Sequence, residues 1–199
     1  MLKKDELKIL KLLLSDITKQ WSIREISLSL HQNYFQTHRT VSALAKAKQI
    51  LLTTLGKNKL VQLDFTKYNP NYTIVEIERA QDAKKQKHLS LIKNQILTIN
   101  RQCICLLFGS QVKEQRKESD IDLLFVLPDD ADYSLFEKQV KMILSPYNCD
   151  INIVTQRGLL EMWANPKKLN VGNEILKKHI VFYGAEHFIN LLREHYVGQ

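Results

Sequence analysis

The sequence has no run of about 18 consecutive apolar residues, the length that a membrane-spanning helix needs, so none is expected. It has only three cysteines, Cys103, Cys105 and Cys149, and no CxxC pair. So sparse and odd a set supports neither a disulfide framework nor a zinc site. All three read as buried strand residues in a reducing compartment. Neither His31 nor His38 has a partner at metal-ligand spacing. Internal repeats and low-complexity segments are also missing. The opening "MLKKDELKILKLLLSD" carries charge throughout and has no small-residue cleavage site, so it reads as an amphipathic helix, not a signal peptide. These absences lead us to expect a cytoplasmic protein.

What is present is globular in composition. Of 199 residues, 44% are hydrophobic and 25% charged, enough for one ordinary domain or two small ones. The net charge of +8 is unevenly spread. Residues 1–100 hold 17 Lys and Arg against 8 Asp and Glu, while residues 101–199 hold 12 against 13. A basic excess confined to one half points to a nucleic-acid or anionic partner for that half, with a solubilising surface as the alternative.

In the N-terminal half, Leu7, Leu10, Leu14 and Ile17 recur at helical spacing. "WSIREISLSLH" places Ile23, Ile26 and Leu30 on one side, and Ser22 with Glu25 has the pattern of a capping box. "QNYFQ" reads as a short turn. A third helix is expected from "THRTVSALAKAKQILL", with Thr37 as its cap and Val41, Leu44 and Ala45 facing inward. Two strand-like runs then flank Gly56-Lys57-Asn58, a hairpin turn.

Three helices and a basic-tipped hairpin resemble a winged helix-turn-helix domain over residues 3–68. The resemblance implies that the third helix enters the DNA major groove and the wing touches backbone. The base-facing candidates are then Gln36, Thr37, His38, Arg39 and Ser42, and the backbone contacts Lys46, Lys48, Lys57 and Lys59. The alternative is a protein-docking or dimerisation module. "YNPNY" reads as a turn, and we place the domain boundary there: residues 1–72, then residues 73–199 with a leading helix or helix pair over 74–99.

The second half reads as strand 103–108, a Gly109-Ser110 break, a polar loop, strand 120–127, a helix over "YSLFEKQVKMIL" and strand 149–155. "PDDAD" reads as a helix-capping loop, and Trp163, Phe182 and Tyr183 as core or cover residues. Strand side chains alternate, so Asp120 and Asp122 point to one face. Adjacent carboxylates repel and call for a cation, and an all-oxygen donor set suits Mg²⁺ or Mn²⁺. With Asp150 from a neighbouring strand, three carboxylates can hold two ions for an in-line displacement at phosphorus. Gly109 lets backbone approach a phosphate, and Ser110 can donate to it.

Apolar-Gly-Ser, a nine-residue loop, Asp-apolar-Asp-apolar and a later Asp resemble the nucleotidyltransferase motif of the DNA polymerase β superfamily. "SDIDLL" and "EILKKHIVFYG" are similar to its minimal nucleotidyltransferase branch, and the resemblance covers residues 86–186. It implies an α+β chain in which the winged helix-turn-helix precedes a small nucleotidyltransferase fold, a mixed sheet flanked by helices. It also implies catalytic and metal-binding roles for Asp120, Asp122 and Asp150, with Gly109 and Ser110 on the nucleotide. Lys113, Arg116 or Lys117 would neutralise triphosphate charge. The implied reaction is Mg²⁺-dependent transfer of a nucleoside monophosphate from an NTP, ATP first, to an acceptor hydroxyl. In that branch the resemblance implies a protein acceptor, a partner toxin of the HEPN class that an antitoxin AMPylates. One difference stands out: where many members carry Arg after Gly-Ser and a glycine in the loop, this chain has Gln111 and the glycine-free "VKEQRKES". The alternatives are a DNA-binding regulator whose second domain is inactive or only senses nucleotide, and a transferase acting on nucleic acid held by the basic half.

Overall fold

The computed structural model describes residues 2–56, 58–83, 87–99, 102–113 and 120–198. The chain is mixed α+β, with two small sheets among the described residues. Helix α1 (Lys4–Ser15) buries Ile9, Leu10, Leu13 and Leu14. Its apolar face thus centres on Ile9 and Leu13 as well as the expected leucines, and Ile17 is buried just beyond its end. The short strand β1 (Trp21–Ser22) leads into α2 (Ile23–Ser29). There the capping box forms as expected: Glu25 N–H donates to Ser22 Oγ at 3.2 Å, and Ser22 N–H donates to Glu25 Oε2 at 2.8 Å.

Helix α3 (Tyr34–Lys46) starts three residues earlier than the sequence suggested. Its cap is Asn33, whose Oδ1 accepts from Phe35 N–H at 2.8 Å and Gln36 N–H at 3.4 Å. Thr37 is therefore not the cap. It lies one turn inside, fully buried, with its hydroxyl donating back to Asn33 O at 3.0 Å. Strands β2 (Ile50–Leu55) and β3 (Asn58–Leu63) pair as a hairpin, and β1 joins β3, giving an antiparallel sheet ordered β1-β3-β2.

Two helices follow, α4 (Pro70–Ala83) and α5 (Lys87–Ile96). Pro70 of the supposed turn is the first residue of α4, a position where its missing N–H is harmless. Then come β4 (Ile104–Phe108), the one-turn α6 (Ser110–Lys113), β5 (Ile121–Leu127), α7 (Tyr133–Leu144) and β6 (Cys149–Thr155). Asp132 caps α7, accepting from Leu135 N–H at 2.9 Å. Helices α8 (Gln156–Trp163) and α9 (Val171–Lys177), strand β7 (Ile180–Tyr183) and helix α10 (Ala185–Val197) complete the described chain. The second sheet runs β6-β5-β4-β7. Its β5–β6 pair is parallel and the other pairs antiparallel, so the sheet is mixed.

One apolar cluster lies between α5, α7 and the second sheet, including Leu89, Ile92, Phe125, Phe136 and Val140. The other crosses the expected boundary: Ile9, Ile26, Val41 and Val61 belong to the same cluster as Leu106, Val126, Trp163 and Phe188. Phe65 stacks on Tyr196 of α10 at 5.3 Å, and Ile17 N–H donates to Leu176 O at 2.9 Å. A buried ionic joint reinforces the contact. Arg79 of α4 donates to Leu14 O (3.0 Å), to His179 O (2.6 Å) and to Glu76 Oε1 (2.6 Å). No described helix is long and apolar enough to cross a membrane.

Candidate functional site

Strand β4 is buried along its length, and at its end Gly109 turns the chain with φ +71° into α6. The strand pairing places Asp122 opposite Phe108 on one side and beside Asp150 on the other. Asp122 therefore faces the point where β4 gives way to Gly-Ser. A Cβ on Gly109 would lie 2.7 Å from Asp122 Cγ and closer still to its Oδ2. The carboxylate occupies the volume that any other residue at 109 would need, and the positive φ independently favours glycine.

The backbone N–H of Ser110 donates to Asp122. The Asp122 carboxyl is nonetheless held above its usual range: burial contributes most, followed by the negative charge of Asp150 and Asp120, with a smaller share from Glu174. Asp120 is exposed at the entry to β5, where Asn148 Nδ2 donates to its Oδ1. Asp150 lies inside β6, not in a turn. It is exposed and accepts from Asn152 Nδ2 at 3.4 Å.

Three predicted carboxylates thus share one end of the sheet and feel one another electrostatically. Among the described residues, however, no three His, Cys, Asp or Glu side chains are gathered closely enough to grip one ion as they stand. The donor chemistry suits a hard divalent cation: the set is all oxygen, and its members repel without one. Glu174 and Asn148 were missed in the sequence. Glu174 comes from α9, some fifty residues from the motif, and only the packing of α9 reveals it. Gln111 is buried. Arg116 and Lys117 lie outside the described residues, as does the Lys113 side chain.

No protein-family model, curated protein or solved structure matches this chain.

The cysteines are not part of it. Burial pushes the thiols of Cys103 and Cys149 up to about 11 and raises that of Cys105 well above its usual range, so none is a nucleophile near neutral pH. Cys103 precedes β4, and Cys149 is only half-buried at the start of β6.

The candidate DNA-contacting residues of α3 divide into two groups. Thr37 is buried and cannot face a ligand. Gln36 is exposed, but its Nε2 is tied to Asp5 Oδ2 at 2.6 Å. Arg39 and Lys46 are exposed, and His38 and Ser42 are partly so. Lys48, in the left-handed region at φ 56°, and Lys59 on β3 are also exposed; Lys57 lies outside the described residues. Sequence reasoning missed Phe35. Assigned to a turn, it is in fact in the first turn of α3 and 76% exposed.

Proposed function

We propose that the chain is a divalent-metal-dependent nucleotidyltransferase joined to a DNA-binding winged helix-turn-helix, acting in the cytoplasm. The observation that carries the first part is the fit of the Asp122 carboxylate into the space left by Gly109, in register with Asp150. That arrangement gives one chemical reason for Gly-Ser and Asp-x-Asp to occur together. Asp120, Asp122 and Asp150 would hold Mg²⁺ or Mn²⁺, which supplies charge neutralisation at the triphosphate and lowers the pKa of an attacking hydroxyl. Of the Gly-Ser pair, the Ser110 hydroxyl would donate to a phosphate oxygen, because the Ser110 N–H is given to Asp122 and the Asp122 carboxylate fills the space beside Gly109. An acceptor oxygen attacks the α-phosphorus of the NTP. The bond to the bridging oxygen breaks, pyrophosphate leaves, and the acceptor proton passes to a carboxylate or to solvent. ATP is the donor we favour, and a protein hydroxyl, such as that of a HEPN-type toxin, the acceptor.

The second part rests on three helices and a hairpin bearing exposed cations, in a half with 17 basic and 8 acidic residues. A second reading, a regulator whose nucleotidyltransferase-like domain is inactive or only senses nucleotide, is favoured by buried Gln111, which stands where the family's arginine would meet a nucleotide.

The test is transfer of label from each α-³²P NTP with Mg²⁺, with and without lysate, beside Asp120→Ala/Asp122→Ala. Label moved by wild type alone establishes a transferase and marks its acceptor. Nucleotide binding without transfer by any NTP selects the regulator.

A further inference from the structure

The end of α2 and the start of α3 carry large apolar side chains into solvent: Phe35 is 76% exposed, Leu28 65% and Tyr34 47%. Phe35 is not on a frayed end, because its own N–H is held by the Asn33 cap at 2.8 Å. The Tyr34 ring stands edge-on to it, centroids 6.0 Å apart. One turn further along the same face is Arg39, exposed, and beyond it Lys46. Of the neighbouring polar residues, Gln36 is tied to Asp5 and Thr37 is turned to the interior, while His38 and Ser42 stay partly exposed.

An exposed phenylalanine one turn from an exposed arginine suits a partner that is both polyanionic and locally apolar, and Lys3, Asp5 and Glu6 line the same surface. The exposed cations Arg24, Arg39, Lys46, Lys48 and Lys59 favour DNA over an apolar protein surface. The major groove is wide enough for a helix and offers one apolar feature, the 5-methyl group of thymine; beside it, guanine presents the two acceptors that an arginine fork fits.

We infer that Phe35 reads a thymine methyl in the major groove, next to a guanine read by Arg39. The inference rests on the DNA-binding reading above and makes it specific to base. Phe35 is then the determinant of thymine over uracil or cytosine at that step, while Lys46, Lys48 and Lys59 hold phosphates without reading sequence.

The experiment uses the full chain. A duplex is selected from a random-sequence library at low salt, and each of its thymines is replaced singly by deoxyuridine, which removes only the methyl. Binding is followed by fluorescence anisotropy for wild type and Phe35→Ala, with circular dichroism to confirm that the variant is folded. At one position the wild type is expected to lose roughly fourfold in affinity, the worth of one buried methyl. Phe35→Ala should bind the thymine and uracil duplexes equally. A selected duplex whose affinity is indifferent to every such replacement, or a variant that still discriminates, overturns the inference while DNA binding stands. If no duplex is enriched, the DNA-binding reading falls and takes the inference with it. A reversible protein–protein contact through Phe35 in the same preparation would then identify the occupant of this face.

Discussion

Gly109 and Asp122 compete for one small volume, and only glycine leaves room for the carboxylate. Gly109→Ala should therefore cost roughly 2–4 kcal/mol, from left-handed strain and overpacking together. In an Asp122→Ala background the overpacking share disappears and only the strain should remain. A double-mutant cycle from urea denaturation checks this. Equal costs in both backgrounds would mean that the two residues do not share the space. The identity of this pair was legible in the sequence because Gly-Ser and Asp-x-Asp are local patterns. Glu174 was not, because its approach to Asp122 depends on how α9 packs and leaves no mark on spacing. Thr37 misled for a different reason: its type suits a cap, but Asn33, four residues earlier, took the role and drew Thr37 inside.

At the scale of elements, α4 does more than link two halves. Its Arg79 binds the last turn of α1 and the residue before β7, while Glu76 is wholly buried between Arg79 and His179. His179 Nδ1 faces Ile175 O at 2.7 Å and so carries a proton, and Nε2 lies 3.2 Å from Glu76 Oε1. Burial raises the Glu76 carboxyl, but Arg79 and His179 outweigh it and leave it below its usual 4.5. A carboxyl depressed on folding contributes stability above its unfolded value, and that stability is lost as pH falls through the folded one. The urea midpoint should thus drop below about pH 4.5 more steeply in wild type than in Glu76→Gln. Arg79→Met, which leaves Glu76 without its closest cation, should cost about 3–5 kcal/mol at pH 7. A loss below 1 kcal/mol would show the joint to be dispensable. Nothing in the sequence announced it, since Arg79 and His179 lie 100 residues apart in the chain. Helix α7 and strand β6, by contrast, were legible to the residue, because their apolar periods and flanking turn residues are local.

For the whole molecule, one core includes residues from both sides of the boundary read near Asn71. Boundary signals such as "YNPNY" report backbone turns, and they carry no information about which apolar faces meet later. The two tryptophans sit on opposite sides of that boundary, Trp21 in β1 and Trp163 at the end of α8. In Trp21→Phe and Trp163→Phe the remaining fluorophore reports one half each, and both should unfold at the same urea concentration. Separate midpoints would show two independent units. The stacking of Phe65 on Tyr196 adds a consequence in time. During synthesis the hairpin that carries β3 emerges long before α10, and at ribosomal rates Phe65 waits roughly 7 to 26 seconds for its partner ring. For that interval the N-terminal helices must be shielded by something else, so a nascent chain stalled before Ala185 should be a better client for chaperones than the finished protein.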